Sequence, residues 1–114
     1  MTMIYKIIDK DDWDRARSCG RYTGSQDDKR DGFIHFSTAE QMVETAARHF
    51  AGQSNLMLLA IDADTLGDAL KWEASRNGQL FPHLYSILKV SSVQQSWSLP
   101  LDADGKHVFP EEAK

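Results

Sequence analysis

Asp31-Gly32-Phe33-Ile34-His35-Phe36-Ser37-Thr38 is the stretch where the chain changes period, and its reading decides the fold. Gly32 to Phe36 is a short apolar run of strand-forming residues. Ser37 and Thr38 follow, with Glu40 three residues beyond the first and Gln41 three beyond the second. Either register makes a capping box, so a helix is expected to start here. Met42, Val43, Ala46, Ala47 and Phe50 then recur at helical spacing on one face, and Gly52 ends the run.

Working outward, Met3 to Ile8 is apolar and β-branched apart from Lys6 and reads as a buried first strand. Asp9 to Asp12 place carboxylates at the positive end of a helix that carries Trp13, Ala16 and Arg17 and stops near Gly20. Residues 20–31 show no periodicity and read as a long, mobile loop of the kind that borders binding sites. Asn55 to Asp62, with its core of Leu56-Met57-Leu58-Leu59-Ala60-Ile61, is apolar on both faces and reads as a central strand. Asp62 to Leu70 reads as a turn with a short helix, and Lys71 to Ser75 as a strand ended by the Asn77-Gly78 turn. Leu80-Phe81-Pro82-His83-Leu84-Tyr85-Ser86 is a second apolar segment built around a histidine. Val93, Gln95, Trp97 and Leu99 alternate with polar residues as in a half-exposed strand, and Asp104-Gly105 turns the chain back through Lys106 to Phe109. Strands outnumber helices without regular alternation. The expected class is therefore α+β with a mainly antiparallel or mixed sheet, in a single domain over 1–114.

Composition narrows the function classes. With 114 residues and 41% hydrophobic side chains, including five Phe, three Trp and three Tyr, the chain can build one core. A net charge of −4 speaks against nonspecific nucleic-acid binding, which needs a basic footprint. Arg15, Arg17, Arg21, Lys29 and Arg30 cluster locally, but Asp27, Asp28 and Asp31 are mixed among them, as in a solvated loop. Cys19 is the only cysteine, so no intrachain disulfide can form. No apolar run approaches the roughly 20 residues that span a bilayer, and no signal-peptide pattern precedes the first strand. The expectation is a cytoplasmic protein with no membrane partner.

The two histidine segments carry the candidate chemistry. In a strand alternate residues share a face, so His35 falls with Ser37 and His83 with Tyr85. Two polar pairs on apolar strands point to a pocket wall. Ser37 and Thr38, at a helix N-terminus, could meet an anionic group with His35 donating to it, or could serve only as caps. Lys6 shares a strand face with Ile4 and Ile8 and either reaches the sheet edge or points into a polar cleft. Glu73, beside Trp72, could be the counter-ion of Lys6, a general base or a solvent-facing residue. His83 and Tyr85 could bind or stack on a flat ligand. His35, His49, His83 and His107 lack close paired spacings, and Asp62-Ala63-Asp64 lacks the other ligands of a calcium loop, so no metal is expected.

Ile4-Tyr5-Lys6-Ile7, Gly32-Phe33-Ile34-His35-x-Ser37, Trp72-Glu73 and Phe81-Pro82-His83-x-Tyr85, taken together, resemble a bacterial family of unknown function. It is the domain-of-unknown-function family nine-five-two, and the likeness runs over nearly the whole chain. That family is grouped by fold with the ADP-ribosyltransferases, which bind NAD in a cleft between two small twisted sheets. The resemblance implies Lys6 at the first-strand position that holds NAD, His35 to Thr38 at the second element, and Glu73 at the carboxylate that orients the ribose. Such a carboxylate would stabilise the oxocarbenium-like transition state as nicotinamide leaves. Lys6 departs from the histidine common at its place, and the chain is shorter than most transferases.

Two functions remain at this stage. In one, a cleft lined by Lys6, His35, Ser37, Thr38, His83 and Tyr85 binds a nucleotide-like or anionic small molecule without catalysis. In the other, Glu73 and His35 serve an NAD-dependent ADP-ribosyl or phosphoryl transferase or hydrolase, with NAD implied by analogy alone.

Overall fold

The computed structural model describes residues 2–113, without the side chain at position 76. Its centre is a three-stranded antiparallel sheet of β1 (Met3–Asp9), β4 (Leu56–Asp62) and β8 (Val93–Ser98), in the order β1-β4-β8. The middle strand is apolar on both faces because both are covered. Ile4, Ile8, Leu59 and Ile61 face one core with Trp13, Ile34 and Leu84; Tyr5, Ile7, Leu58 and Ala60 face another with Met42 and Ala46. The first core is closed by α1 (Lys10–Cys19) and by a second antiparallel sheet. That sheet joins β3 (Ile34–His35), β6 (Leu80–Leu84) and β5 (Leu70–Ala74) in the order β3-β6-β5. The second core is closed by α3 (Ala39–His49). A two-stranded ribbon of β2 (Arg21–Tyr22) and β7 (Leu88–Lys89) completes an α+β fold with eight strands among the described residues.

Local signals place most of these elements. Asp9 caps α1 by accepting from the N–H groups of Asp11 and Asp12, and Gly20 ends the helix in the left-handed region. Thr38 is the N-cap of α3, and its N–H donates to Gln41 Oε1 at 3.0 Å. Asn77 and Gly78 both take positive φ, 57° and 75°, in the loop between β5 and β6.

Two expectations are corrected. The loop expected over 20–31 contains β2 and a short helix, α2 (Gln26–Asp31). This helix has no apolar face for periodicity to reveal. It is set by Ser25, whose hydroxyl accepts from the Asp28 N–H at 3.1 Å while Asp28 Oδ2 accepts from the Ser25 N–H at 2.9 Å. Gly24 precedes it at φ 113°, and a Cβ there would meet the Asp28 Cβ at 2.8 Å. The buried stripe of α3 is also narrower than its apolar spacing: Met42 and Ala46 are buried, but Val43 is 53% exposed and Ala47 faces solvent.

Losing the Ser25 hydroxyl should be measurable. Ser25→Ala is expected to lower stability by about 0.5–2 kcal/mol, read as a lower urea midpoint at unchanged slope. An unchanged midpoint would mean that α2 does not depend on its cap.

Candidate functional site

A cleft of about 290 Å³ opens between the two three-stranded sheets. Its position follows from how β1 leaves its neighbour. Tyr5 exchanges both main-chain hydrogen bonds with Ser37, its N–H donating to Ser37 O at 2.8 Å and its carbonyl accepting from the Ser37 N–H at 2.9 Å. In an antiparallel strand the bonding edge alternates, so Ile7 turns its N–H and C=O the same way as Tyr5. The antiparallel register would next set His35 opposite Ile7, but His35 gives its N–H to Asp28 and pairs with His83, so among the described residues the pairing with β1 stops at Ser37. Ile7 therefore offers a donor and an acceptor to the cleft it lines.

One side of the cleft is a buried polar network around Asp28, which is 2% exposed. Lys6 Nζ donates to both carboxylate oxygens, at 2.9 and 3.2 Å. His35 donates its backbone N–H to Oδ1 at 3.1 Å and sets Nδ1 2.6 Å from the same atom. Its Nε2 lies 2.9 Å from Asp31 Oδ2. Burial works against ionisation of Asp28, but the His35 hydrogen bond, the Lys6 charge and the Ser25 N–H outweigh it and hold the carboxyl well below the usual range. Burial pushes the Lys6 ammonium down, with Asp28 opposing. Burial, then the Asp28 charge, pushes the neighbouring Tyr22 phenol up. The ion pair is thus the condition on which Lys6 can occupy a core strand.

The opposite side is aromatic. His35 and His83 are direct partners across β3 and β6, with ring centroids 5.6 Å apart. Phe33 stacks on His83 at 4.0 Å and 22° and lies 5.2 Å from Tyr85. Glu73 Oε1 accepts from Tyr85 OH at 2.7 Å and sits 2.8 Å from His83 Nδ1. Tyr85 first, then His83, pulls the Glu73 carboxyl below its ordinary value. On the α3 side, Ser37 Oγ is 3.1 Å from Thr45 Oγ1.

Lys6, His35, Ser37 and His83 thus line a common cleft, together with Thr45, His49 and Phe81. Thr38, Glu73 and Tyr85 are not among its lining residues. Thr38 is occupied with the capping box, and Glu73 and Tyr85 reach the cleft only through His83. The counter-ion of Lys6 is Asp28, not Glu73: the diagonal across β5 and β6 commits Glu73 to His83. Sequence reasoning missed Asp28, which lines the cleft, and Phe33, which backs His83 without lining it. Asp28 had a signal in Ser25-x-x-Asp28, a short capping box that its charged neighbours disguised. Among the described residues no group of three or more His, Cys, Asp or Glu side chains is placed to hold a metal ion. None of the described helices is long and apolar enough to cross a membrane.

Residues 7–96 match the family described as "Protein of unknown function (DUF952)". The chain belongs to this family. The match takes in Asp28, the paired histidines and Glu73, and begins one residue after Lys6. No curated protein matches the sequence. Among solved structures, the chain is similar to the crystal structure of protein CC0527 from Caulobacter crescentus, with 55% identity, 94% of each chain covered and a TM-score of 0.91. The solution structure of CC0527 gives 57% identity, covering 93% of this chain and 91% of that one, with a TM-score of 0.84. Both are structural-genomics targets, and their descriptions state no activity.

Proposed function

We propose that the cleft binds a small nucleotide-like molecule, held by hydrogen bonds and ring contacts more than by charge. The observation that carries this reading is the meeting of the free main-chain edge at Ile7 with the Lys6, His35 and His83 side chains around one hollow. A strand residue with unpaired N–H and C=O complements a carboxamide or a nucleobase edge, each of which offers an acceptor beside a donor. His83 and Phe81 give flat surface for a ring. An anionic group would lie toward Arg30 and Ser37 at the rim, beside the face of His35, whose ring nitrogens are taken by Asp28 and Asp31, with Thr38 and Tyr85 supporting from outside. Charge steering is weak, because Lys6 is neutralised by Asp28 and Arg30 is engaged by Asp27 and Asp31. The volume is at the low end of the roughly 300–1,000 Å³ common for ligand pockets, which suits one nucleotide better than a whole dinucleotide.

The resemblance to ADP-ribosyltransferases supports an NAD-like ligand, since their cleft also lies between two small sheets. Group transfer is the second reading. Its support is the Ile7 edge, which matches the carboxamide of nicotinamide. Against it stands Glu73, whose carboxylate is committed to His83 and Tyr85.

A thermal-shift series with NAD, ADP-ribose, nicotinamide mononucleotide, AMP and inorganic phosphate tests the reading. A ligand at about 100 times its Kd stabilises by roughly 2.7 kcal/mol, expected as a rise of about 10 °C in a chain of this size. The shift should be largest for the mononucleotides and should shrink in His35→Ala. No movement with any of the five would overturn it. Release of nicotinamide from NAD above the His35→Ala background would promote the transferase reading.

A further inference from the structure

His83 carries an arrangement that binding alone does not use. Its Nδ1 faces Glu73 Oε1, and Tyr85 OH donates to the same oxygen. An ionised carboxylate only accepts, so the ring must donate from Nδ1, and in the neutral imidazole the lone pair then falls on Nε2. Among the described residues Nε2 has no hydrogen-bond partner, while His83 lines the cleft and is only 5% exposed. Phe33, stacked at 4.0 Å, fixes the ring plane. A carboxylate that fixes one tautomer of a cleft imidazole is the arrangement by which hydrolases hold a base ready. His35 cannot share the task, because both of its ring nitrogens face carboxylates.

We propose that His83 is the general base of the cleft, with Glu73 its positioning residue and Tyr85 the anchor of Glu73. In the step, Nε2 takes the proton from a water or a ligand hydroxyl as that oxygen bonds to an electrophilic carbon or phosphorus. The bond to the leaving group breaks with its electron pair on that group, and the Nε2 proton passes to it. This restores the neutral ring. Glu73 keeps its charge throughout and acts only through His83. The role rests on the ligand-site reading for the molecule that brings the hydroxyl; the tautomer and the free lone pair do not.

Two measurements on the whole chain test it. In ¹⁵N-labelled protein above neutral pH, long-range ¹H–¹⁵N correlations should show His83 protonated at Nδ1 and bare at Nε2. Glu73→Ala, at a solvent-facing side chain, should move the proton mainly to Nε2. p-Nitrophenyl acetate serves as the chemical probe: Nε2 takes a proton from water as the water oxygen bonds to the acetyl carbon, p-nitrophenolate leaves with the electron pair of the ester bond, and acetic acid and the ring proton are released to solvent. His83→Gln should slow p-nitrophenolate release about tenfold or more, and Glu73→Ala should slow it and displace its pH profile. Protonation at Nε2 in the unaltered protein, or release unchanged in both variants, would overturn the proposal. Since neither measurement uses a nucleotide, a silent thermal-shift series would remove the ligand reading and leave this result standing, and the reverse also holds.

Discussion

Asp28→Ala is expected to destabilise the protein by about 3–5 kcal/mol, because it leaves the Lys6 ammonium buried without its partner. Lys6 is 6% exposed, sits between Ile4 and Ile8 on a core face of β1, and finds its counter-charge in Asp28. The same substitution removes the acceptor for the His35 backbone N–H and for the Ser25 N–H that starts α2. Against a total of about 5–15 kcal/mol for an ordinary domain, this loss is large enough to leave part of the population unfolded at ambient temperature. Lys6→Met combined with Asp28→Ala should recover much of it, since replacing both charges removes the unpaired ammonium and leaves volume for packing. Urea unfolding of the single and double variants is the measurement. If the double variant is no more stable than Asp28→Ala, Asp28 supports α2 and β3 and not the lysine.

That result bears on what could be read from the residues alone. The strands were legible because their signals are local: β1 is apolar apart from Lys6, β4 is apolar on both faces, and in the second sheet Asn77-Gly78 breaks the chain between β5 and β6. The start of α3 was legible from Thr38 and Gln41, which close a box three residues apart. Its inward face was not, because Val43 and Ala47 extend the apolar stripe past the strip that the sheet covers. α2 was invisible to periodicity, since Gln26-Asp27-Asp28-Lys29-Arg30-Asp31 has no apolar side. It stands on the one carboxylate that turns inward to Lys6, a contact 22 residues distant along the chain.

The cleft was legible to the same extent. Period-two alternation placed His35 with Ser37 on one face, and the antiparallel register of β3 with β6 sets His35 directly opposite His83. Alternation says which face a residue takes and not how far along it lies. Tyr85 shares the face of His83 but falls beyond the hollow, where Glu73 meets it. Nothing in Glu73 or Lys6 alone shows which cation belongs to which carboxylate; the choice is made by strand order β3-β6-β5, which puts Glu73 on the far side of His83 from Lys6.

Acid should dismantle this protein through Asp28 first. Its carboxyl is depressed in the folded state despite burial, by His35, Lys6 and the Ser25 N–H. The unfolded chain therefore binds the proton more readily than the native one, and stability falls as pH drops. The contribution is complete above the unfolded value of about 3.9 and is lost as pH falls through the lower folded value. A buried carboxylate held down in this way contributes stability that protonation removes. Asp14, Asp31, Glu73 and Asp102 are also lowered, but they lie at the surface, where solvent and salt screen what they contribute. The expected outcome is a flat stability profile from pH 7 to about 5, a decline below it that 1 M salt does not remove, and a much shallower decline in Asp28→Asn. Chemical denaturation at stepped pH measures all three curves. An acid limb of equal depth in Asp28→Asn would assign the loss to the surface carboxylates, and the network beneath the cleft would then carry no special share of the fold's acid sensitivity.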